Sequence, residues 1–250
     1  MLGCSGGIGG ALRTTSFLLD DDVLIDAGTG VGDLTLSEMC SIDHIFLTHA
    51  HLDHIASIPL LVDSVGYMRT APITIHATAE TLDALRQHIF NDVIWPDFSM
   101  IPSPGTPYMR YEEIALGQSR ELAGRKISPL PANHTVPAVG YHLDSGRGSL
   151  AFSGDTTTND AFWEAVNRIP NLEHLIVETA FSDSELELAR VSKHLCPSLL
   201  LEELAKLKTN VPVHITHLKP GEMSVIMTEI EQRAGEVKPD MLANGQVFEF

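Results

Sequence analysis

The sequence predicts an α/β fold of two mixed sheets that face each other and carry helices on their outer sides. Short apolar runs alternate with helix-period segments along the whole chain. The first part is rich in strand and hairpin patterns, and the later part settles into a helix–strand rhythm.

Phe17–Leu19 and Val23–Asp26 flank Asp20-Asp21-Asp22 and read as a hairpin around an acidic turn. His44–Leu47 is a short buried strand that runs into a histidine-rich motif. Ile73–Ala77 is β-branched and strand-like, and Thr78 after it is an N-cap for a helix reaching about Phe90. Tyr141–Leu143 and Ser149–Phe152 form a second hairpin around Asp144-Ser145-Gly146-Arg147-Gly148. Ala161–Arg168 and Ser198–Lys208 then read as helices that alternate with the strands His174–Glu178 and Val213–Thr216. Ser224–Ala234 is a last helix before a short C-terminal strand.

A chain of 250 residues buries a sizeable core, and residues 1–250 are expected to form a single domain. The Pro/Gly-rich stretch from Trp95 to Pro107 looks like a loop, and residues 92–126 as a whole are expected to be lid or insertion loops. Trp95 and Phe98 in it either wall a purine base or pin the loop to the core. The apolar Met100–Tyr108 segment offers a contact for a homodimer.

Acidic residues number 33 against 16 basic ones, a formal charge of −17. Such a surface repels long nucleic acids but admits a small anion where divalent cations reverse the potential locally. Cys4, Cys40 and Cys196 are too few and too scattered for a disulfide framework, which points to reduced thiols and a cytoplasmic setting. The start shows no basic segment followed by an apolar core, so no export signal is expected, and no apolar run reaches membrane-span length.

The chemistry concentrates in Thr48-His49-Ala50-His51-Leu52-Asp53-His54. His49 and His51 sit two apart at a strand end and so point the same way in extended chain. Asp53 and His54 follow where a helix begins. Imidazole suits zinc, iron or copper, and a carboxylate completes a harder site. More ligands are needed to close two sites, and each candidate stands beside a predicted strand end: His134 in Asn133-His134-Thr135, Asp155 in Ser153-Gly154-Asp155, and His217 in Ile215-Thr216-His217. Asp26-Ala27-Gly28-Thr29-Gly30 is expected to shape a turn beneath this site, where Asp26 can accept from a ligand histidine. Gly3–Gly10 either brings amides toward a phosphate or forms a tight structural turn. His174 and His214, near strand starts, are weaker candidates for supporting the ligands.

The order H-x-H-x-D-H, a distant His, an Asp after a strand and a last His resembles the metallo-β-lactamase superfamily. That resemblance implies an αββα sandwich with its site at one edge of the paired sheets. It implies two divalent metal ions, zinc first, with manganese or iron as alternatives. His49, His51 and His134 would hold one ion, Asp53, His54 and His217 the other, and Asp155 would bridge them.

The finer resemblance is to the class II 3′,5′-cyclic-nucleotide phosphodiesterases. It runs through His49–Pro59, His88-Ile89-Phe90-Asn91, Ile94–Phe98, Glu178-Thr179-Ala180-Phe181 and Ser192-Lys193-His194-Leu195. It implies hydrolysis of cyclic AMP or cyclic GMP to the 5′-monophosphate by a metal-bridging hydroxide, from ions about 3.5–4 Å apart. His194 is the implied proton donor to the leaving oxygen, with Glu178 orienting it and Asp53 helping to orient the nucleophile. Ribonuclease Z is the rival resemblance, through His134–Tyr141, but the basic arm with which that enzyme grips transfer RNA has no counterpart in Asp92–Thr106 or Glu112–Lys126. A non-catalytic binding protein of the same fold is the third reading, which the complete set of seven ligands disfavours.

Overall fold

The computed structural model describes residues 1–235 and 237–250. One sheet holds, side by side, β1 (Phe17–Leu19), β2 (Val23–Ile25), β3 (His44–Phe46), β4 (Ile73–Ala77) and β5 (Met109–Glu113). β1 and β2 are an antiparallel hairpin, and β2 to β5 pair in parallel. The other sheet contains β6 (Arg120–Leu122), β7 (Arg125–Pro131), β8 (Val139–Asp144), β9 (Ser149–Phe152), β10 (Leu172–Glu178), β11 (Val213–Thr216) and β12 (Asp240–Met241), in that spatial order. Its first four strands form an antiparallel meander and its last four run parallel.

Side-chain alternation explains the layering. On β2 and β3, Val23, Ile25 and Phe46 join one core, while Leu24 and Ile45 join another. On β9 and β10, Phe152 and Ile176 join the first of these, while Ala151, Leu175 and Val177 join a third. The shared core is therefore the space between the sheets, and each sheet buries its second face under helices. Strands covered on both faces read as continuous apolar runs, which is why they were legible in the sequence.

α3 (Ile58–Val65) and α4 (Ala79–His88) cover the first sheet. Thr78 caps α4 by accepting from the Thr81 N–H, as expected. α5 (Asp160–Val166), α7 (Pro197–Leu204) and α8 (Met223–Arg233) cover the second. Three further short helices among the described residues are α1 (Leu36–Ser41), α2 (Leu52–Ile55) and α6 (Leu186–Ser192), of which α1 and α6 lie outside those expected from the sequence. No helix among the described residues is long and apolar enough to cross a membrane.

The stretch 92–126 differs from the expectation of lid or insertion loops. Met109–Glu113 is a full strand paired in register with β4, and Arg120–Leu122 pairs with β7, so both belong to the sheets. Their polar, charged residues hide a strand pattern because each strand lies at a sheet edge, where one side stays wet. Phe98 is buried and Trp95 packs against the same core, so both aromatics pin the loop.

Arg125 on β7 reaches the β1–β2 turn and binds both carboxylate oxygens of Asp22, at 2.6 and 2.8 Å. It also donates to Asp20 at 2.9 Å, tying one sheet to the other. The Arg125 hydrogen bonds hold the Asp22 carboxyl below its usual 3.8. A depressed carboxylate pKa adds stability that is present above the ordinary value and is lost as pH falls through the folded one. Arg125→Met should therefore cost about 1 kcal/mol at neutral pH, the upper end for a partly exposed ion pair. Urea unfolding midpoints should show the gap from wild type closing as pH drops below 3.8.

Candidate metal centre

β2, β3, β9, β10 and β11 all end at one edge of the paired sheets, where the carboxyl ends of parallel strands commonly carry a site. The histidine motif leaves β3 there and turns into α2, so that His51 precedes the helix while Asp53 and His54 lie in its single turn. The backbone ahead of the motif is held firmly. Tyr141 donates its hydroxyl proton to the Leu47 carbonyl at 2.9 Å across the shared core. The Thr48 carbonyl accepts from the Val139 N–H at 3.0 Å.

Asp26, at the end of β2, is wholly buried beneath the motif. Its carboxylate accepts from the Thr48 N–H and the Thr48 hydroxyl, each at 2.8 Å, and from His54 Nδ1 at 2.6 Å. The turn after it runs under α2: the Ala27 N–H donates to the His54 carbonyl at 2.7 Å. A Cβ on Gly28 would lie 2.5 Å from the Asp53 carbonyl oxygen, so only glycine fits. This is the supporting turn that the sequence predicts.

Asp155 stands at the centre, after β9. One carboxylate oxygen lies 3.3 Å from His54 Nε2 and 3.7 Å from His49 Nε2, and the other lies 3.3 Å from His217 Nδ1. Asp53 approaches His217 Nε2 at 3.7 Å and His54 Nε2 at 3.9 Å. His51 Nδ1 and His134 Nε2 face each other at 3.2 Å. All seven residues expected as ligands thus meet in one place. Two of their groupings, His49–His51–His134 and Asp53–His54–His217, each bring ligand atoms within 4.8 Å of one another.

Hydrogen bonding settles which nitrogens face inward. A carboxylate or a carbonyl only accepts, so His54 is protonated at Nδ1 by its bond to Asp26, and His134 by its bond to the Lys193 carbonyl at 3.1 Å. Thr48 spends its hydroxyl proton on Asp26 and so accepts from His49 Nδ1 at 3.0 Å. In all three rings Nε2 is the nitrogen that points into the site. His49 Nε2, His54 Nε2, Asp155 Oδ1 and both nitrogens of His217 are buried without a hydrogen-bond partner. Orphaned polar atoms of this kind are costly in a protein interior, and a cation would satisfy the lone pairs among them. The residues therefore fit the divalent metal ions that such a donor set selects.

The electrostatics agree. Burial holds His49 well below its usual range, His134 down at about 4 and His217 at about 3, so these rings are neutral at physiological pH and offer lone pairs. Burial would raise Asp155, but His217 and His54 hold it well below the ordinary carboxylate range. Burial would lower His54, yet Asp155 and Asp26 on either side raise it well above the usual value.

Beside the cluster, His194 Nδ1 bonds Glu178 Oε1 at 2.7 Å. Glu178 is fully buried at the end of β10 and also accepts from the Thr156 N–H at 3.0 Å. The His194 ring lies 4.9 Å from that of His134 and 5.1 Å from that of His217. Burial lowers its pKa, and Glu178 more than reverses that.

The glycine-rich Gly3–Gly10 segment resolves toward a structural turn in part, since a Cβ on Gly6 would sit 2.4 Å from the His217 carbonyl oxygen. His174 and His214 do not reach the site. They contact each other at 3.2 Å near the opposite strand ends, with His214 bound to Asp240 at 2.5 Å. Two contributors escaped the sequence. Thr48 relays between Asp26 and His49, a role visible only once β2 and β3 are adjacent, and Lys193 touches His134 from a left-handed backbone position that no residue pattern reports.

Comparison with known proteins places this geometry. The family described as "Beta-lactamase superfamily domain" matches residues 22–234. A probable 3′,5′-cyclic-nucleotide phosphodiesterase of Yersinia pestis is 28% identical over 223 residues, covering 77% of this chain and 63% of the relative. A ribonuclease Z of Halorubrum lacusprofundi is 31% identical over 150 residues, covering 55% of this chain and 46% of the relative. The chain thus spans less than two thirds of the length of either relative. The crystal structure of the metallo-β-lactamase fold protein YhfI from Bacillus subtilis superposes with a TM-score of 0.79 at 18% identity, over 99% of this chain and 97% of that one. With the fold, the edge site and the family match in agreement, the chain belongs to the metallo-β-lactamase superfamily.

Proposed function

We propose that this protein is a metal-dependent phosphodiesterase that hydrolyses 3′,5′-cyclic nucleotides, cyclic AMP or cyclic GMP, to nucleoside 5′-monophosphates. The observation that carries the reading is the buried His194–Glu178 pair set directly against the seven-residue cluster. His49, His51 and His134 would hold one ion, Asp53, His54 and His217 a second, and Asp155 would touch both. The imidazole-rich donor set favours zinc, with manganese or iron compatible. Such ions, when bound, neutralise phosphoryl charge and make a water acidic enough to ionise near neutral pH.

The chain's own residues do the rest. Opening the cyclic phosphodiester breaks the bond from phosphorus to the ribose 3′ oxygen, and that alkoxide is a strong base that needs a proton. Glu178 only accepts, so His194 keeps a proton on Nδ1 and presents Nε2 as the position from which a second proton is delivered. The raised pKa keeps that proton available. Asp53, only partly buried, sits where it can orient an incoming water as well as hold an ion.

Similarity to the Yersinia phosphodiesterase over most of the chain supports the cyclic-nucleotide substrate, and so does the charge of −17, which opposes docking of a polyanion. The ribonuclease Z similarity supports a second reading, cleavage of transfer RNA precursors, over a shorter span.

Release of 5′-monophosphate from cyclic AMP or cyclic GMP by the purified protein, abolished by chelator, is the expected result. His194→Ala should lower kcat on the order of 10²–10⁴-fold while leaving bound metal unchanged. Protein that holds two ions yet turns over neither cyclic nucleotide would sink this reading, and cleavage of a transfer RNA precursor in the same assay would promote the second.

Asp26→Asn removes the acceptor shared by Thr48 and His54. Competition with a chelator should show metal affinity about 10–100-fold weaker, at a position well removed from substrate. Affinity equal to wild type would mean that Asp26 does not set the ligand rings.

A further inference from the structure

We propose that Lys193 is the positioning residue that fixes His134 for metal binding, holding its ring and its backbone at the same time; this rests on the metal-site reading and not on the identity of the substrate. His134 lies on the loop between β7 and β8, three residues beyond the end of β7 and outside its ladder.

Lys193 supplies the missing restraint at two atoms. Its carbonyl accepts the His134 Nδ1 proton at 3.1 Å, and its ammonium donates to the His134 carbonyl at 3.0 Å. A third bond, from the same ammonium to Asn133 Oδ1 at 3.2 Å, extends the grip to the preceding residue. Lys193 closes α6 with φ of 54° and ψ of 48°, a left-handed position where glycine is the usual occupant. A lysine there carries backbone strain that glycine would relieve, and a local rule broken without structural gain marks a functional constraint. The next residue is His194, so one backbone segment sets both the His134 ring and the neighbouring proton donor, 4.9 Å apart.

Lys193→Gly keeps the carbonyl, relieves the backbone and deletes the ammonium, whereas Lys193→Met deletes only the ammonium. Bound metal per chain should be followed against graded chelator. Both variants should lose one of two ions about 10–100-fold more readily than wild type and retain the other normally. Lys193→Arg, which keeps a cationic donor, should recover most of the loss. Metal-free Lys193→Gly should unfold in urea at or above the wild-type midpoint, because the left-handed position suits glycine. Wild-type retention of both ions by the Gly and Met variants would overturn the proposal. So would a metal-free Lys193→Gly protein destabilised relative to wild type, since that would give Lys193 a general structural role. If wild type itself binds no ion, the metal-site reading falls and this proposal with it. Failure to hydrolyse cyclic nucleotides would leave the metal readout intact.

Discussion

A carboxylate buried without water must be matched by donors, and the arrangement around Asp26 follows from that need. Three donors converge on it: the Thr48 N–H, the Thr48 hydroxyl and His54 Nδ1. Each bond has a consequence further out. The backbone bond fixes where the motif leaves β3. The hydroxyl bond forces Thr48 to accept from His49, and the imidazole bond chooses the His54 tautomer. One acid at the end of β2 thereby turns two rings so that their Nε2 atoms face Asp155. Remove the acid, and the rings keep their places in the chain but lose the reason for their orientation.

Parallel pairing makes the convergence possible. β2 and β3 lie side by side in one sheet, and β9, β10 and β11 in the other, with their carboxyl ends at the same edge. Asp26, Asp155, Glu178 and His217 are far apart in sequence, yet each ends a strand or follows one within three residues, and the histidine motif starts two residues beyond β3. A rigid sheet fixes such positions far better than a free loop does, because the strand's ladder hydrogen bonds hold the backbone on its inner side. His134, on the loop between β7 and β8, has both its carbonyl and its ring tied to a residue from another element.

That pattern explains what could be read in advance. His49, His51, Asp53 and His54 were legible because period-2 alternation and adjacency to an apolar run are properties of sequence. Asp155 and His217 were legible because buried strands announce their ends, and Glu178 through the family resemblance of Glu178-Thr179-Ala180-Phe181. β5 and β6 were not, since edge strands with wet, charged faces such as Met109–Glu113 share the composition of loops. The link from Thr48 to Asp26 and the grip of Lys193 on His134 depend on which strands are neighbours and on one backbone dihedral. Neither is written in residue type. His174 and His214 misled for the converse reason: a histidine near a strand looks the same at either end, and these two sit at the end away from the site.

Charge decides what kind of substrate suits the edge. The chain carries −17 overall, so an approaching anion meets repulsion over most of the surface. At the cluster the balance would reverse if the two proposed divalent ions were bound, four positive charges standing against the carboxylates of Asp53 and Asp155 with the histidines neutral as ligands. Screening at physiological ionic strength confines that reversal to roughly 8 Å. A cyclic nucleotide, with its single charge on a compact phosphodiester, fits inside such a radius. A long RNA would leave most of its phosphates outside it, against acidic protein and with few cations to replace its counterions. Under the proposed reading, such an edge would attract a small phosphodiester and disfavour a polymeric one, the discrimination coming from the distance over which the field changes sign.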